Sequence, residues 1–387
     1  MPDGTVFVAS GSLNGLDPTQ SENNNPTYEI LDRNGVSSGV NVPMDILVKK
    51  QPYFMYPFLH LLPDGSLFVF TATSSQLFDV ANNAVIKELP ELKGLYRTYP
   101  NTGGSVLLAL SPESNYEPEI VICGGGAYQD LPSPTDPSCG RCKPLEKDAA
   151  WEMDAMPEGR GMVEGTLLPD GTVLWLNGAQ RGAEGFGIAD TPAFEALIYD
   201  PTAKLGKRWS RAGTSEIPRL YHSVALLLLD GTVAVAGSNP NEMPILPEDV
   251  DPNTPARAFP TEFRIEIYTP PYLTGDRARK RPARIALSTD QLTADGSTFE
   301  IKFSAPRGAK EVRISLHHGG FVTHALHMGH RMVWLDSKGW KRGVGMQRLV
   351  VTMPDKERGS KVLPPGPYVV FVVVDGVPGV GKFVTVG

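Results

Sequence analysis

Two stretches of this sequence concentrate side chains that ligate metals. Tyr221 and His222 stand side by side in Ile217-Pro-Arg-Leu-Tyr-His-Ser223, at the head of an apolar run, and five of the seven histidines, His317, His318, His324, His327 and His330, fall between residues 317 and 330. Neutral imidazole is the commonest side-chain ligand for copper, zinc and nickel. Strand parity argues against a ready-made site in either stretch. On a regular strand Tyr221 and His222 point to opposite faces, and so do His324 and His327 if Phe321 to Met328 is one strand. Tyr221 and His222 reach one ion only if the chain bends at the strand's mouth, and Pro218, which restricts itself and the residue before it, allows such a bend. On spacing alone the plainer readings are favoured: a tyrosine packed between elements beside a hydrogen-bonded histidine, and loop histidines with hydrogen-bond partners.

Other chemistries find less support. Gly124-Gly-Gly126 is not followed by a helix bearing Lys-Ser or Lys-Thr, so it reads as a strand end rather than a phosphate loop. No His-Glu-x-x-His helix occurs, and Gly35-Val-Ser-Ser-Gly39 matches Gly-x-Ser-x-Gly only within a turn-rich stretch that lacks the strand and helix of a nucleophile elbow, which leaves hydrolase chemistry without a foothold. Three cysteines, Cys123, Cys139 and Cys142, are too few for a disulfide scaffold; a bridge from Cys123 to one of the other two is expected if the protein is secreted. A net charge of -7 with acids and bases interspersed provides no basic stripe, so nucleic acid is not an expected partner. The apolar runs Val224 to Leu229 and Tyr368 to Val374 are far shorter than the roughly 20 residues a membrane span needs.

The elements that would position these residues are strands. Forty glycines and 35 prolines in 387 residues, with little helical periodicity, point to an all-β chain, and the length suits two domains. Asp3-Gly4, Asp64-Gly65, Asp170-Gly171 and Asp230-Gly231 each precede a β-rich run, at intervals of 61, 106 and 60 residues. A degenerate unit, Pro118 to Gly126, falls in the middle of the long interval, so the period of 50 to 60 is that of kelch-type propeller blades. Apolar strands are expected before three of the turns, at Phe54 to Leu62, Met162 to Leu168 and Tyr221 to Leu229. The first unit lacks its opening strand, which suggests that the printed chain starts inside a blade and that upstream sequence is missing. Thr269 to Pro282 reads as a linker, and beyond it Thr298 to Phe303, Glu311 to Leu316 and Tyr368 to Val374 read as strands of an immunoglobulin-like sandwich. The expected division is an incomplete propeller over 1–280 and a sandwich over 281–387.

Several longer segments resemble the copper-radical oxidases, galactose oxidase and above all the fungal glyoxal oxidases: Pro2 to Pro18, Asn25 to Leu31, Gln51 to Pro57, Tyr99 to Leu108 and Pro260 to Glu266. The resemblance implies a seven-bladed kelch β-propeller followed by an immunoglobulin-like domain, with one copper on the propeller axis. Arg219-Leu-Tyr-His-Ser223 is similar to the family motif that supplies an axial tyrosine and an adjacent histidine, and Thr323-His324 to the segment that supplies a second histidine. By that resemblance Tyr221, His222 and His324 are metal ligands and Tyr221 is also the catalytic base. The family's redox partner, a tyrosine thioether-bonded to a cysteine, has no counterpart in the printed residues. The implied activity is oxidation of small aldehydes, or of an alcohol, to the acid, with O2 reduced to hydrogen peroxide by an extracellular monomer. The alternative is a non-catalytic kelch module that only binds a partner, or an inactive remnant.

Overall fold

Asp-Gly turns organise the first two thirds of the chain. Asp64-Gly65 joins Phe58–Leu61 to Leu67–Thr71, Asp170-Gly171 joins Glu164–Leu167 to Val173–Leu176, and Asp230-Gly231 joins Val224–Leu227 to Val233–Ala236. Each aspartate carboxylate accepts the N–H and the hydroxyl of the residue two further on, Ser66, Thr172 or Thr232. The glycine between them takes the positive φ that the turn requires, +83° to +96°. In this computed structural model all residues are described except 16, 252–253 and 255–257, so Leu16 of the Pro2 to Pro18 segment lies outside the described residues.

Five small antiparallel sheets follow one another along the chain. Val6–Ala9 opens the first, Phe58–Leu61 the second, Gly103–Leu107 the third, Glu164–Leu167 the fourth and Val224–Leu227 the fifth, which closes on Glu266–Tyr268. The degenerate unit supplies Ile120–Gly124, the second strand of the third sheet. These are propeller blades, five among the described residues against the seven that the resemblance implies. The chain then enters a nine-stranded curled sheet of the sandwich, in which Thr298–Ser304, Val312–His318 and Gly366–Val374 correspond to the three expected strands. The bridge from Cys123 goes to Cys139, whose strand lies beside its own in the third sheet, and Cys142 is free and buried.

Three expectations need correction. The strands before the Asp-Gly turns start later than periodicity suggests: Phe54 to Pro57, Met162-Val163 and Tyr221 to Ser223 are irregular. Phe321 to Met328 is a hairpin of Phe321–Thr323 and Leu326–Met328 rather than one strand. The segment from 269 to 282 is docked, with a 3-10 turn Pro271–Leu273 and a short helix Gly275–Ala278. Tyr272 anchors it: the ring is 1% exposed and its hydroxyl donates to Gly231 O at 2.6 Å.

Blades and sandwich share one hydrophobic core, in which Phe58, Phe68 and Leu107 join Ile301, Val333 and Val372. Each such buried side chain stabilises by about 1.5–3 kcal/mol relative to exposure. Main-chain bonds cross the same junction, from Leu110 N–H to Met332 O at 3.0 Å and from Trp334 N–H to Leu110 O at 2.8 Å. The guanidinium of Arg331 donates to Leu61 O and Val362 O. This junction places the sandwich hairpin against the first strands of three blades, Gly103–Leu107, Glu164–Leu167 and Val224–Leu227.

Candidate metal centre

Tyr221 and His222 are the central residues of a turn closed by a 3.1 Å bond from Ser223 N–H to Leu220 O. The alternation of a strand does not apply there, and the two rings stack with centroids 3.8 Å apart. His222 has φ +64°, a left-handed conformation that costs a β-carbon residue about 1–2 kcal/mol. The surroundings hold the turn in this shape. Asn239 N–H donates to Tyr221 O at 2.9 Å, and His222 Nδ1–H donates to Asn239 O at 2.9 Å. Arg219, 2% exposed, ties the approach to the last strand by donating to the Glu266 carboxylate and to the carbonyls of Gly237 and Arg264.

His324 arrives on the sandwich hairpin. It and Ala325 form a two-residue loop with φ +51° and +62°, positions at which Asn-Gly is usual because both must be left-handed. Two strained residues at a loop tip need compensation, and packing among the blade strands supplies it. His324 Nδ1 lies 2.7 Å from the Thr323 hydroxyl, and its Nε2 lies 3.0 Å from Tyr221 Oη. Both histidines thus have Nδ1 engaged by a neighbouring oxygen, which fixes ring orientation and turns Nε2 toward the centre as the candidate ligating atom.

Electrostatics favour neutral imidazole and a protonated phenol before any cation is added. Burial, and then the proximity of His222, lowers the His324 pKa to about 4. Burial pushes the Tyr221 phenol far above its ordinary range, and Glu184, Tyr99 and Tyr56 add to the rise. Among the described residues no three His, Cys, Asp or Glu side chains converge as metal ligands, so beyond two imidazoles a metal here would draw on the phenol oxygen or on solvent. The set of two imidazole nitrogens and one phenol oxygen fits Cu(II) better than structural zinc, which favours a closed tetrahedral shell of N and S donors. The 3.0 Å between Tyr221 Oη and His324 Nε2 also suits two adjacent ligands each about 2 Å from one ion.

The other four histidines of the 317–330 stretch are elsewhere. His327 Nε2 contacts the Glu164 carboxylate at 2.6 Å, His330 stacks on His327, His317 is buried on Val312–His318, and His318 Nδ1 meets Pro367 O. Sequence reasoning missed four neighbours of the centre. Tyr56 stacks on the His324 ring at 3.6 Å, Tyr99 meets it edge-on at 5.9 Å, Phe186 lies beside Tyr221 and His222, and Glu184 is buried, its carboxyl pushed up to about 8 by burial. The repeat held part of the signal: Tyr56, Tyr99 and Tyr221 each come just before the first strand of a sheet, and Arg97 and Arg219 stand two residues ahead of the latter two.

Residues 21–272 match the family described as glyoxal oxidase N-terminus, and residues 281–386 match the galactose oxidase-like Early set domain. The chain is 36% identical over 395 aligned positions to "Aldehyde oxidase GLOX" of Vitis pseudoreticulata, covering 99% of this chain and 70% of that protein. To "Aldehyde oxidase GLOX1" of Arabidopsis thaliana it is 34% identical, covering 86% of this chain and 55% of that protein. The chain thus spans 70% and 55% of the length of these two relatives, both of them from plants. In fold it is similar to a fungal alcohol oxidase of the AA5 family solved in complex with copper, with a TM-score of 0.62 and 18% identity over 100% of this chain and 83% of that one.

Proposed function

Because the chain belongs to the glyoxal oxidase family of copper-radical oxidases, we propose that Tyr221, His222 and His324 hold one copper ion and that the protein oxidises small aldehydes. In this reading the aldehyde reacts as its hydrate: RCH(OH)2 and O2 give RCOOH and H2O2, with two electrons and two protons passing from substrate to oxygen. The observation that carries it is the approach of Tyr221 Oη to His324 Nε2, 3.0 Å apart from positions 103 residues distant, beside a second histidine whose Nδ1 is already engaged.

Copper, when bound, supplies a one-electron acceptor and a Lewis acid for the substrate oxygen. The protein's own residues prepare the rest. Tyr221 Oη takes the substrate's hydroxyl proton: burial, which keeps the free phenol protonated, makes that oxygen a strong base once its proton has left. Tyr56 fixes the His324 ring by stacking, and the neutral imidazole keeps an Nε2 lone pair that faces Tyr221 Oη in the metal-free protein. His222 is exposed and Phe186 is 37% exposed, so a small substrate enters past their rings. A two-electron oxidation needs a second redox group, which the family resemblance gives as a Tyr-Cys pair; of the three cysteines here, Cys123 and Cys139 are bonded to each other and Cys142 is free. The disulfide supports an oxidising, extracellular location.

Titration with Cu(II) followed by electron paramagnetic resonance tests the proposal. One copper per chain with coupling to two nitrogens is expected, lost in His222→Ala and in His324→Ala and retained in His318→Ala. Absence of stoichiometric binding turns the reading toward a propeller that binds a partner without catalysis. Peroxide formation from an added aldehyde then reports whether the second redox group is in place.

A further inference from the structure

The two halves of the candidate centre come from different parts of the chain, and one buried side chain touches both. Glu164 opens the first strand of the fourth sheet and has no exposed surface. Its Oε1 accepts the Ala225 N–H at 2.7 Å and lies 2.6 Å from His327 Nε2, while its Oε2 accepts Asn177 Nδ2–H at 3.4 Å. Ala225 is three residues after His222, and His327 is three residues after His324. The Thr166 hydroxyl, 3.4 Å from the same His327 nitrogen, completes the cluster.

We infer that Glu164 is a positioning residue, whose single carboxylate oxygen locks the segment bearing Tyr221 and His222 to the hairpin bearing His324 and so sets the spacing of the metal donors. The inference rests on the copper reading above. A carboxylate suits the task because it only accepts: one oxygen serves two donors from two different elements without offering either a proton. A fully buried carboxylate is costly to desolvate unless such donors converge on it. Here they are a main-chain N–H, a histidine and an amide, and no lysine or arginine is paired with it among the described residues. Partners bonded directly to the ligands typically tune metal affinity by roughly 10–100-fold, and a brace that holds the ligand-bearing segments acts one step further out.

The test is Cu(II) affinity and the Cu(II) resonance spectrum of the full chain in Glu164→Gln, His327→Leu, the double variant and His327→Gln. The amide of Glu164→Gln keeps the volume but turns a donor toward one of the two partners. Glu164→Gln is expected to weaken copper binding by up to about 10-fold, the lower end of the range for direct partners of ligands, and to change the hyperfine splitting. His327→Leu should do the same and the double variant little more, because both remove one link. His327→Gln, which restores an N–H donor toward Glu164, should recover much of the affinity. Val351→Ala in the sandwich core, which loosens the fold away from the centre, should leave the spectrum unchanged. If Glu164→Gln does not fold, the two His327 variants decide. An unmodified chain that takes up no copper overturns both readings; uptake that Glu164→Gln and His327→Leu leave unaltered in affinity and spectrum overturns the brace alone.

Discussion

Acid should loosen this fold through its buried histidines, and His317 allows the effect to be worked out. The side chain is 3% exposed on Val312–His318, its ring meets the Phe371 ring edge-on at 5.3 Å, and neither nitrogen has a hydrogen-bond partner among the described residues. Burial lowers its pKa to about 3 from an unfolded value near 6.5. The folded state therefore stays neutral between those values while the unfolded chain takes up a proton, so stability present above pH 6.5 is lost as pH falls toward 3. At pH 5 the loss from this one residue is ~2 kcal/mol. His330, 8% exposed and also pushed well below its ordinary range by burial, acts in the same direction. His317→Leu keeps similar volume and removes one titration. Urea unfolding followed by tryptophan fluorescence at pH 7 and pH 5 is the assay. At pH 7 the variant should equal the parent or exceed it by ~1 kcal/mol, since two unsatisfied nitrogens disappear. Between pH 7 and pH 5 the parent should lose ~2 kcal/mol more than the variant. Parallel losses in the two proteins would refute the reasoning.

Three further outcomes are expected. Gly237→Ala puts a β-carbon 2.4 Å from His222 O at φ +72°, so it should weaken copper binding as well as stability, whereas Gly206→Ala, at φ +76° with open space around it, should cost only the ~1 kcal/mol of the backbone conformation and leave binding intact. Replacing Cys123 and Cys139 together by alanine opens a loop of 16 residues' separation and should lower unfolding stability by ~3 kcal/mol, a shift that dithiothreitol should reproduce in the parent. Arg219→Lys keeps the charge opposite Glu266 but leaves a fork of acceptors served by a single ammonium, and the variant should lose about 1–3 kcal/mol, read as a lower urea midpoint together with weaker copper uptake.

The blades could be read in the sequence because each Asp-Gly turn carries its own reason to form: a carboxylate that bonds two residues ahead and a glycine free to turn left-handed. Asp170 and Asp230 adopt this same arrangement in two different sheets. The centre was harder to read because its residues leave the periodic elements. Tyr221-His222 and His324 were picked out by type and by resemblance, but strand parity separated them, and only the turn at Leu220 to Ser223 and the hairpin loop at His324-Ala325 remove that obstacle. Tyr56 and Glu184 were not legible as neighbours of His324, since nothing local in Tyr53 to Pro57 or Gly182 to Gly185 encodes which residue of another sheet they will meet. The tie of His327 to Glu164 spans 163 positions and depends on the docking of the whole sandwich.

The junction between hairpin and blades also imposes an order in time. Tyr221 and His222 leave the ribosome about 100 residues before His324, which at roughly 5–20 residues per second is an interval of about 5–20 seconds. During that interval the nascent chain can fold blades but cannot assemble a three-donor pocket, because the last imidazole and the strands that carry it do not yet exist. If the three side chains hold copper as proposed, its capture waits until the C-terminal sheet has closed on the blades, and the ion meets a finished protein rather than a half-built one.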